Sequence, residues 1–170
     1  AADALTLNPY LGMDALEPFV AAAEAEGRGV FVLVRTSNPG GADLQDLAVA
    51  GDGSVADRVA DLLTARAREG TLDARGYGPV GAVVGGTHPG ALARARARLP
   101  HAILLVPGYG AQGATAEDVA AAFDARGGGA IVAASRSLTH AGGDDPTQSA
   151  RAAAAAMQRA VRDAVRARGT

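Results

Sequence analysis

The chain has no cysteine and no lysine. Without cysteine there is no disulfide, no thiolate nucleophile and no zinc ribbon. Without lysine, all sixteen strongly basic side chains are arginines, and arginine is a poor proton donor because its pKa lies above ~12. The bias toward Arg, Ala and Gly fits coding in a GC-rich genome better than any mechanism. There is no excess of positive charge either. A formal net charge of -2 provides no global field to draw in nucleic acid or an acidic membrane. No apolar run approaches the ~18 residues that a membrane-spanning helix needs, and no basic-then-apolar leader is visible. The expected location is cytoplasmic, with no nucleic-acid or membrane partner.

What is present is enough for one globular unit. At 170 residues the chain can bury a real core, and residues 1–170 are expected to form a single domain. Short β-branched runs occur at Ala4–Leu7, Gly29–Val34, Val80–Val84, Ala102–Val106 and Ala130–Ala133. Each is nearly continuous in apolar residues, as strands buried on both faces of a parallel sheet are. Amphipathic stretches lie between them. Asp14 with Glu17 three residues on has the form of a capping box, and Gly27 stops that helix. Ser54 opens a helix over 54–69, closed by Gly70. Pro89 begins a third, and Thr115 with Asp118 opens a fourth running to about Arg126. The last covers roughly Thr147–Arg168.

The order is β-α five times over, the pattern of a parallel α/β protein. An open doubly wound sheet and part of a closed barrel both fit it. Every strand runs into a Gly-rich or polar turn: Asn8-Pro9-Tyr10, Thr36-Ser37-Asn38-Pro39, Gly85-Gly86-Thr87, Pro107-Gly108-Tyr109-Gly110 and Ser135-Arg136-Ser137. An open sheet uses only the loops at its switch point, whereas a barrel gathers all of them at one mouth. Five loaded loops favour the (β/α)8 TIM barrel. Such a barrel needs eight units and roughly 250 residues, so the chain is expected to be its C-terminal part, strands four to eight.

Gly108-Tyr109-Gly110-Ala111-Gln112-Gly113 matches the G-x-G-x-x-G of dinucleotide sites. That fingerprint also requires an acidic residue about 20 positions on, where Ser135-Arg136 stands instead. A phosphate site is the better reading. A glycine turn frees backbone N–H groups for an anion, and Gln112 adds an amide donor. Arg136, at the end of the last strand, offers a planar fork. Barrels often hold phosphate in the loops after strands seven and eight.

The loops also resemble those of a known family. Thr6-Leu7-Asn8-Pro9-Tyr10-Leu11-Gly12 looks like the fourth-strand loop of the bacterial orotidine 5′-phosphate decarboxylases of the longer, second type. Arg35-Thr36-Ser37-Asn38-Pro39-Gly40, with Ala42-Asp43-Leu44-Gln45-Asp46-Leu47, resembles their fifth. Val83-Val84-Gly85-Gly86-Thr87-His88-Pro89 resembles the sixth. Pro107 to Gly113 and Ser135-Arg136-Ser137-Leu138 resemble the seventh and eighth. The five motifs keep the family's order along the chain. Gly86, His88 and Tyr109 depart from the residues expected there.

The resemblance implies a homodimeric barrel that converts orotidine 5′-monophosphate (OMP) to UMP and CO₂ without metal or cofactor. It implies that Gln112, Gly113 and Arg136 grip the 5′-phosphate, that Ser37 hydrogen-bonds the pyrimidine's amide edge and that Pro107 lines the base pocket. It also implies that the family's catalytic Lys and Asp network comes from the second and third strands. No catalytic residue is therefore expected in this chain. Two alternatives stay open. One is a non-catalytic phosphate-binding barrel fragment; the other is another phosphate-binding barrel enzyme, such as a sugar-phosphate isomerase.

Other signals carry less. His88, His101 and His140 lack metal-ligand spacing. A Ser37–His88–Asp triad has no G-x-S-x-G elbow to support it. Asp144-Asp145 beside Gly142-Gly143 and Pro146 reads as a turn and helix lead-in. The Arg-rich final helix reads as an outer barrel helix, and Arg94, Arg96 and Arg98 as cations spread around a helix surface.

Overall fold

A computed structural model of the chain describes residues 2–51, 53–67 and 70–169. One sheet of five parallel strands runs in sequence order: β1 (Ala4–Leu7), β2 (Gly29–Arg35), β3 (Val80–Val84), β4 (Leu104–Pro107) and β5 (Ala130–Ala133). Between and after the strands come α1 (Met13–Ala25), α2 (Ala42–Gln45), α3 (Val55–Ala67), α4 (Pro89–Arg98), α5 (Ala116–Ala120), α6 (Arg136–Thr139) and α7 (Pro146–Arg168). The strand order decides between the two architectures. A doubly wound sheet must reverse its strand order somewhere. Here each strand lies beside its predecessor, and right-handed crossovers then bring the connecting helices to the same face. That is a wall of a barrel.

Burial along the strands follows from this. Val30, Val32, Val34, Val80, Ala82, Val84, Leu104 and Val106 are buried and share one core with Leu16 and Val20 of α1, Leu63 of α3, Leu92 of α4 and Val161 of α7. The alternate positions Phe31, Leu33, Ile103 and Leu105 are only partly buried, and Ile131 is 50 % exposed. Strand side chains alternate faces, so one face is sealed by helices and the other is apolar and partly covered, with Val83 buried in it. Inward-facing side chains of a barrel fill its interior.

Several ends differ from the sequence expectation. Asp14 does not cap α1. Gly12 does, at φ +94°, after a 3-10 turn over Pro9–Leu11 that Asn8 caps. A left-handed φ is open to glycine at little cost, which is why α1 begins at Met13. Glu17 instead accepts from Arg66 of α3. Ser54 does form a reciprocal capping box with Asp57. Positions 68 and 69 of that expected helix lie outside the described residues. The fourth helix stops at Ala120 rather than near Arg126. Beyond it Ala122 and Phe123 donate to the third residue back, tightening the coil into 3-10 turns. Asp145 caps α7 by accepting from Thr147 and Gln148. β4 starts at Leu104 rather than Ala102 and takes in Pro107. Among the described residues no helix is long and apolar enough to cross a membrane.

The arginines of α4 are not a solvated fan. Arg94 and Arg98 pair with Asp57, and Arg98 also with Asp61. Arg96 turns inward and donates to the carbonyls of Leu99, Ala102 and Gly129. It thereby ties the start of β4 to the residue that leads into β5. Burial holds the Arg96 pKa below its usual value, with Asp124 and Tyr77 acting against that. Asp124 completes this end of the sheet. Its carboxylate accepts from the Tyr77 hydroxyl and from the backbone N–H groups of Arg126 and Gly128. Burial pushes the Asp124 carboxyl up, but these hydrogen bonds outweigh it and hold the pKa at about 2.

A carboxyl with a depressed folded-state pKa stabilises the protein above its unfolded pKa, and the contribution is lost as pH falls through the folded value. Asp124 therefore supplies about 2 kcal/mol above pH ~4, declining toward pH ~2. Tyr77→Phe is expected to cost about 1–2 kcal/mol at pH 7. That difference should shrink between pH 4 and pH 2. Urea unfolding of both proteins across this range checks it; a difference independent of pH would contradict the assignment.

Candidate active-site rim

The C-terminal ends of β2, β3 and β4 converge. At the end of β2, Arg35 is 2 % exposed and bound bidentately by Asp46 at 2.7 and 2.8 Å. Its remaining Nη1 donates to the Thr36 carbonyl. Gln45, at the end of α2, accepts from the Thr36 N–H at 2.8 Å and from its hydroxyl at 3.0 Å. The hydrogen bond from Arg35 holds the Asp46 carboxyl below its usual pKa despite some desolvation, and the charges of His88 and Arg94 act the same way. His88 is also held down, by burial first and then by the Arg35 charge. Sequence reasoning gave Arg35, Gln45 and Asp46 no role. The available signal was a charged residue directly after an apolar strand run, which cannot be buried without a partner.

Ser37 follows this anchored segment and sits against two glycine loops. A Cβ added at Gly85 would lie 2.7–2.8 Å from the Ser37 Cα, Cβ and N. One added at Gly108 would lie 3.4 Å from the Ser37 Cβ and 3.3 Å from the Gln112 Oε1. The Ser37 Cβ and the Gln112 amide oxygen therefore both lie beside Gly108. The backbone at Gly85 donates to the Arg35 carbonyl at 2.7 Å, and that at Gly86 to the Pro107 carbonyl at 2.8 Å. The three strand ends are stitched together by backbone hydrogen bonds. Thr87 adds a long contact to the Ser37 carbonyl at 3.4 Å.

The β4 loop curls tightly. The Gly110 N–H donates to the Ala114 carbonyl and the Gly113 N–H to the Gly110 carbonyl. Those two donors close the loop on itself, so the expected free N–H at Gly113 is not available in this form. The position still demands glycine, at φ +100°. A Cβ at Gly110 would lie 3.1 Å from the Ser137 Oγ, so this loop abuts the one after β5. There Arg136 opens α6 three residues beyond the strand end, rather than at the strand end itself. Arg136 and Gln112 are both exposed. Neither side chain has a hydrogen bond or ion pair among the described residues. Ser137 Oγ is a buried oxygen without a hydrogen-bond partner among them. The rim thus brings Ser37, Pro107 and Gln112 together, with Arg136 one loop away. Its polar groups can hold an anionic ligand with a planar polar end.

A family model for orotidine 5′-phosphate decarboxylase / HUMPS family proteins matches residues 1–153. The chain belongs to this family. It is 56 % identical over 139 residues to the orotidine 5′-phosphate decarboxylase of Rhodopirellula baltica, covering 82 % of this chain and 45 % of that protein. It is 51 % identical over 158 residues to the enzyme of Deinococcus radiodurans, covering 93 % of this chain and 56 % of that protein. Among solved structures it resembles Leishmania donovani UMP synthase, with a TM-score of 0.74 and 41 % identity, covering 95 % of this chain and 33 % of that one. The chain therefore spans about half the length of the curated relatives it matches. As part of a decarboxylase-family barrel it accounts for five of the strands.

In this family member the Gly85–Ser37 contact is backbone against backbone and has little room to give. Gly85→Ala is expected to cost about 1–3 kcal/mol through overpacking. Gly90→Ala, whose nearest neighbour would be 3.6 Å away at the flexible end of Arg94, should be neutral or slightly stabilising. Denaturant midpoints of the two variants check the contrast; similar midpoints would contradict it.

Proposed function

We propose that these 170 residues form one unit that supplies the phosphate- and base-binding loops of an enzyme decarboxylating orotidine 5′-monophosphate to UMP. The observation that carries the reading is the placement of Ser37 and Gln112 side by side against Gly108, in a chain of this family. Gln112 and Arg136 take the 5′-phosphate, which Gly113 helps to shape by its turn. Ser37 meets the amide edge of the pyrimidine, and Pro107 borders the base. Arg136 is suited to the task because its guanidinium is exposed and uncommitted, unlike that of Arg35. The enzyme works as a homodimer in the cytoplasm and uses neither metal nor cofactor.

In the reaction the bond between the ring carbon and the carboxylate breaks. Its electron pair stays on the ring carbon, CO₂ leaves, and a proton then takes the vacated place. An ammonium near that carbon stabilises the charge and donates the proton. No lysine occurs in these residues, and arginine cannot give up a proton at neutral pH, so the acid is contributed by another segment. The role of this rim is differential binding. Holding the remote phosphate and the base edge favours a closed, dry site around the reacting ring.

Arg136→Ala in the full-length protein should weaken UMP binding by about a hundredfold, the loss of a charge-assisted bidentate contact. Calorimetric titration measures it, and unchanged affinity would remove the phosphate assignment. Ser37→Ala separates this function from that of a sugar-phosphate enzyme on the same barrel. It should lower affinity for UMP and leave ribose 5-phosphate unaffected.

A further inference from the structure

Behind Ser37 lies a set of part-buried polar contacts that the phosphate and base contacts do not use. The two peptide groups flanking Thr36 are both held. The N–H of the first donates to Gln45 Oε1 at 2.8 Å, and the carbonyl of the second accepts from Arg35 Nη1. The Thr36 hydroxyl donates to the same Gln45 oxygen at 3.0 Å. Arg35 is in turn fixed by both carboxylate oxygens of Asp46. Gln45 and Asp46 come from the four-residue α2 and its C-cap. The packing around them has no slack. A Cβ at Gly41 would lie 2.5 Å from Arg35 Nη1, 2.9 Å from Gln45 Oε1 and 3.0 Å from Thr36 Oγ1. On the opposite side Ser37 is closed in by the backbones of Gly85 and Gly108. The direction of the Ser37 side chain is thereby determined by the orientation of the Thr36 peptides.

We infer that Gln45 is a positioning residue that aims Ser37 at the base, so that it governs selectivity for a pyrimidine nucleotide and not affinity for its phosphate. This rests on the reading of Ser37 as the base contact. Both Gln45 bonds use its side-chain carbonyl oxygen as acceptor. A carboxylate at position 45 can accept the same two protons, and an apolar residue of similar size cannot. A misdirected hydroxyl loses its bond to the base, while Arg136 and Gln112, on other loops, keep the phosphate.

The test is calorimetric titration of the full-length protein with UMP and with ribose 5-phosphate. Gln45→Leu should raise the UMP Kd about tenfold or more and leave the ribose 5-phosphate Kd unchanged. Gly41→Ala, which crowds the same oxygen without a positive φ to strain, should show the same split. Gln45→Glu should bind both ligands like the parent. Equal weakening of both ligands in Gln45→Leu, or an unchanged preference for UMP, would overturn the inference. So would a Gln45→Glu variant as impaired as Gln45→Leu. A parent protein that binds ribose 5-phosphate as tightly as UMP would instead bring down the base-site reading itself. A UMP preference lost in Ser37→Ala but kept in Gln45→Leu would bring down only the positioning role of Gln45.

Discussion

The sequential parallel order of the five strands is the constraint on which the rest depends. Parallel crossovers are right-handed as a rule, and α1, α3, α4 and α7 accordingly share one core on one face. All the strands also end at the same rim. Loops far apart in sequence, such as those at Ser37 and Gln112, then become neighbours with no other device. The same order leaves the opposite face apolar and half-covered, from Phe31 and Leu33 to Ile131. That face has a use only inside a larger barrel wall, which agrees with a chain about half the length of its relatives.

The two ends of the sheet divide the polar work. At the N-terminal end the charges are spent internally. Arg96 bridges three carbonyls, and Asp124 collects the Tyr77 hydroxyl and two amides. Buried groups satisfied this fully stabilise and specify one arrangement. At the C-terminal end the commitment is partial. Arg35 is locked by Asp46, whereas Arg136 and Gln112 stand exposed and unbonded among the described residues. The same side chain thus serves as a strut in one loop and remains available for a ligand in another. Burial and the presence of a carboxylate make the difference.

Much of this was legible in the sequence because the strands are short, continuous and β-branched. Ala4–Leu7, Val80–Val84 and Ala130–Ala133 stand where the apolar runs end. The helix ends were harder to read, since they turn on tertiary partners. Nothing local says that Asp124 will accept from Tyr77, 47 residues earlier, and so end the coil before Arg126. Glu17 looked like a cap because its partner Arg66 is 49 residues away. In the site, the residues were legible from the loops but their support was not. Arg35, Gln45 and Asp46 matter through one another, and a linear pattern does not reveal which acidic residue a buried arginine will find.

The glycines of the rim follow from geometry rather than from flexibility. Three strand ends meet closely enough for backbone to donate directly to backbone, Gly85 to Arg35 and Gly86 to Pro107. At that spacing a side chain at 85 would collide with the main chain of Ser37, and one at 86 with Val119 and Ala114. Positions 85 and 86 then leave no room for a side chain, and the β2 loop packs Ser37 against Gly85 and Gly108. The polar side chains beside Gly108 are a short hydroxyl, Ser37, and an amide, Gln112, both neutral. Groups of this kind can hydrogen-bond the polar edge of a ligand, and neither is an acid at neutral pH. On the function proposed above, this rim recognises the ligand and the proton comes from elsewhere in the enzyme.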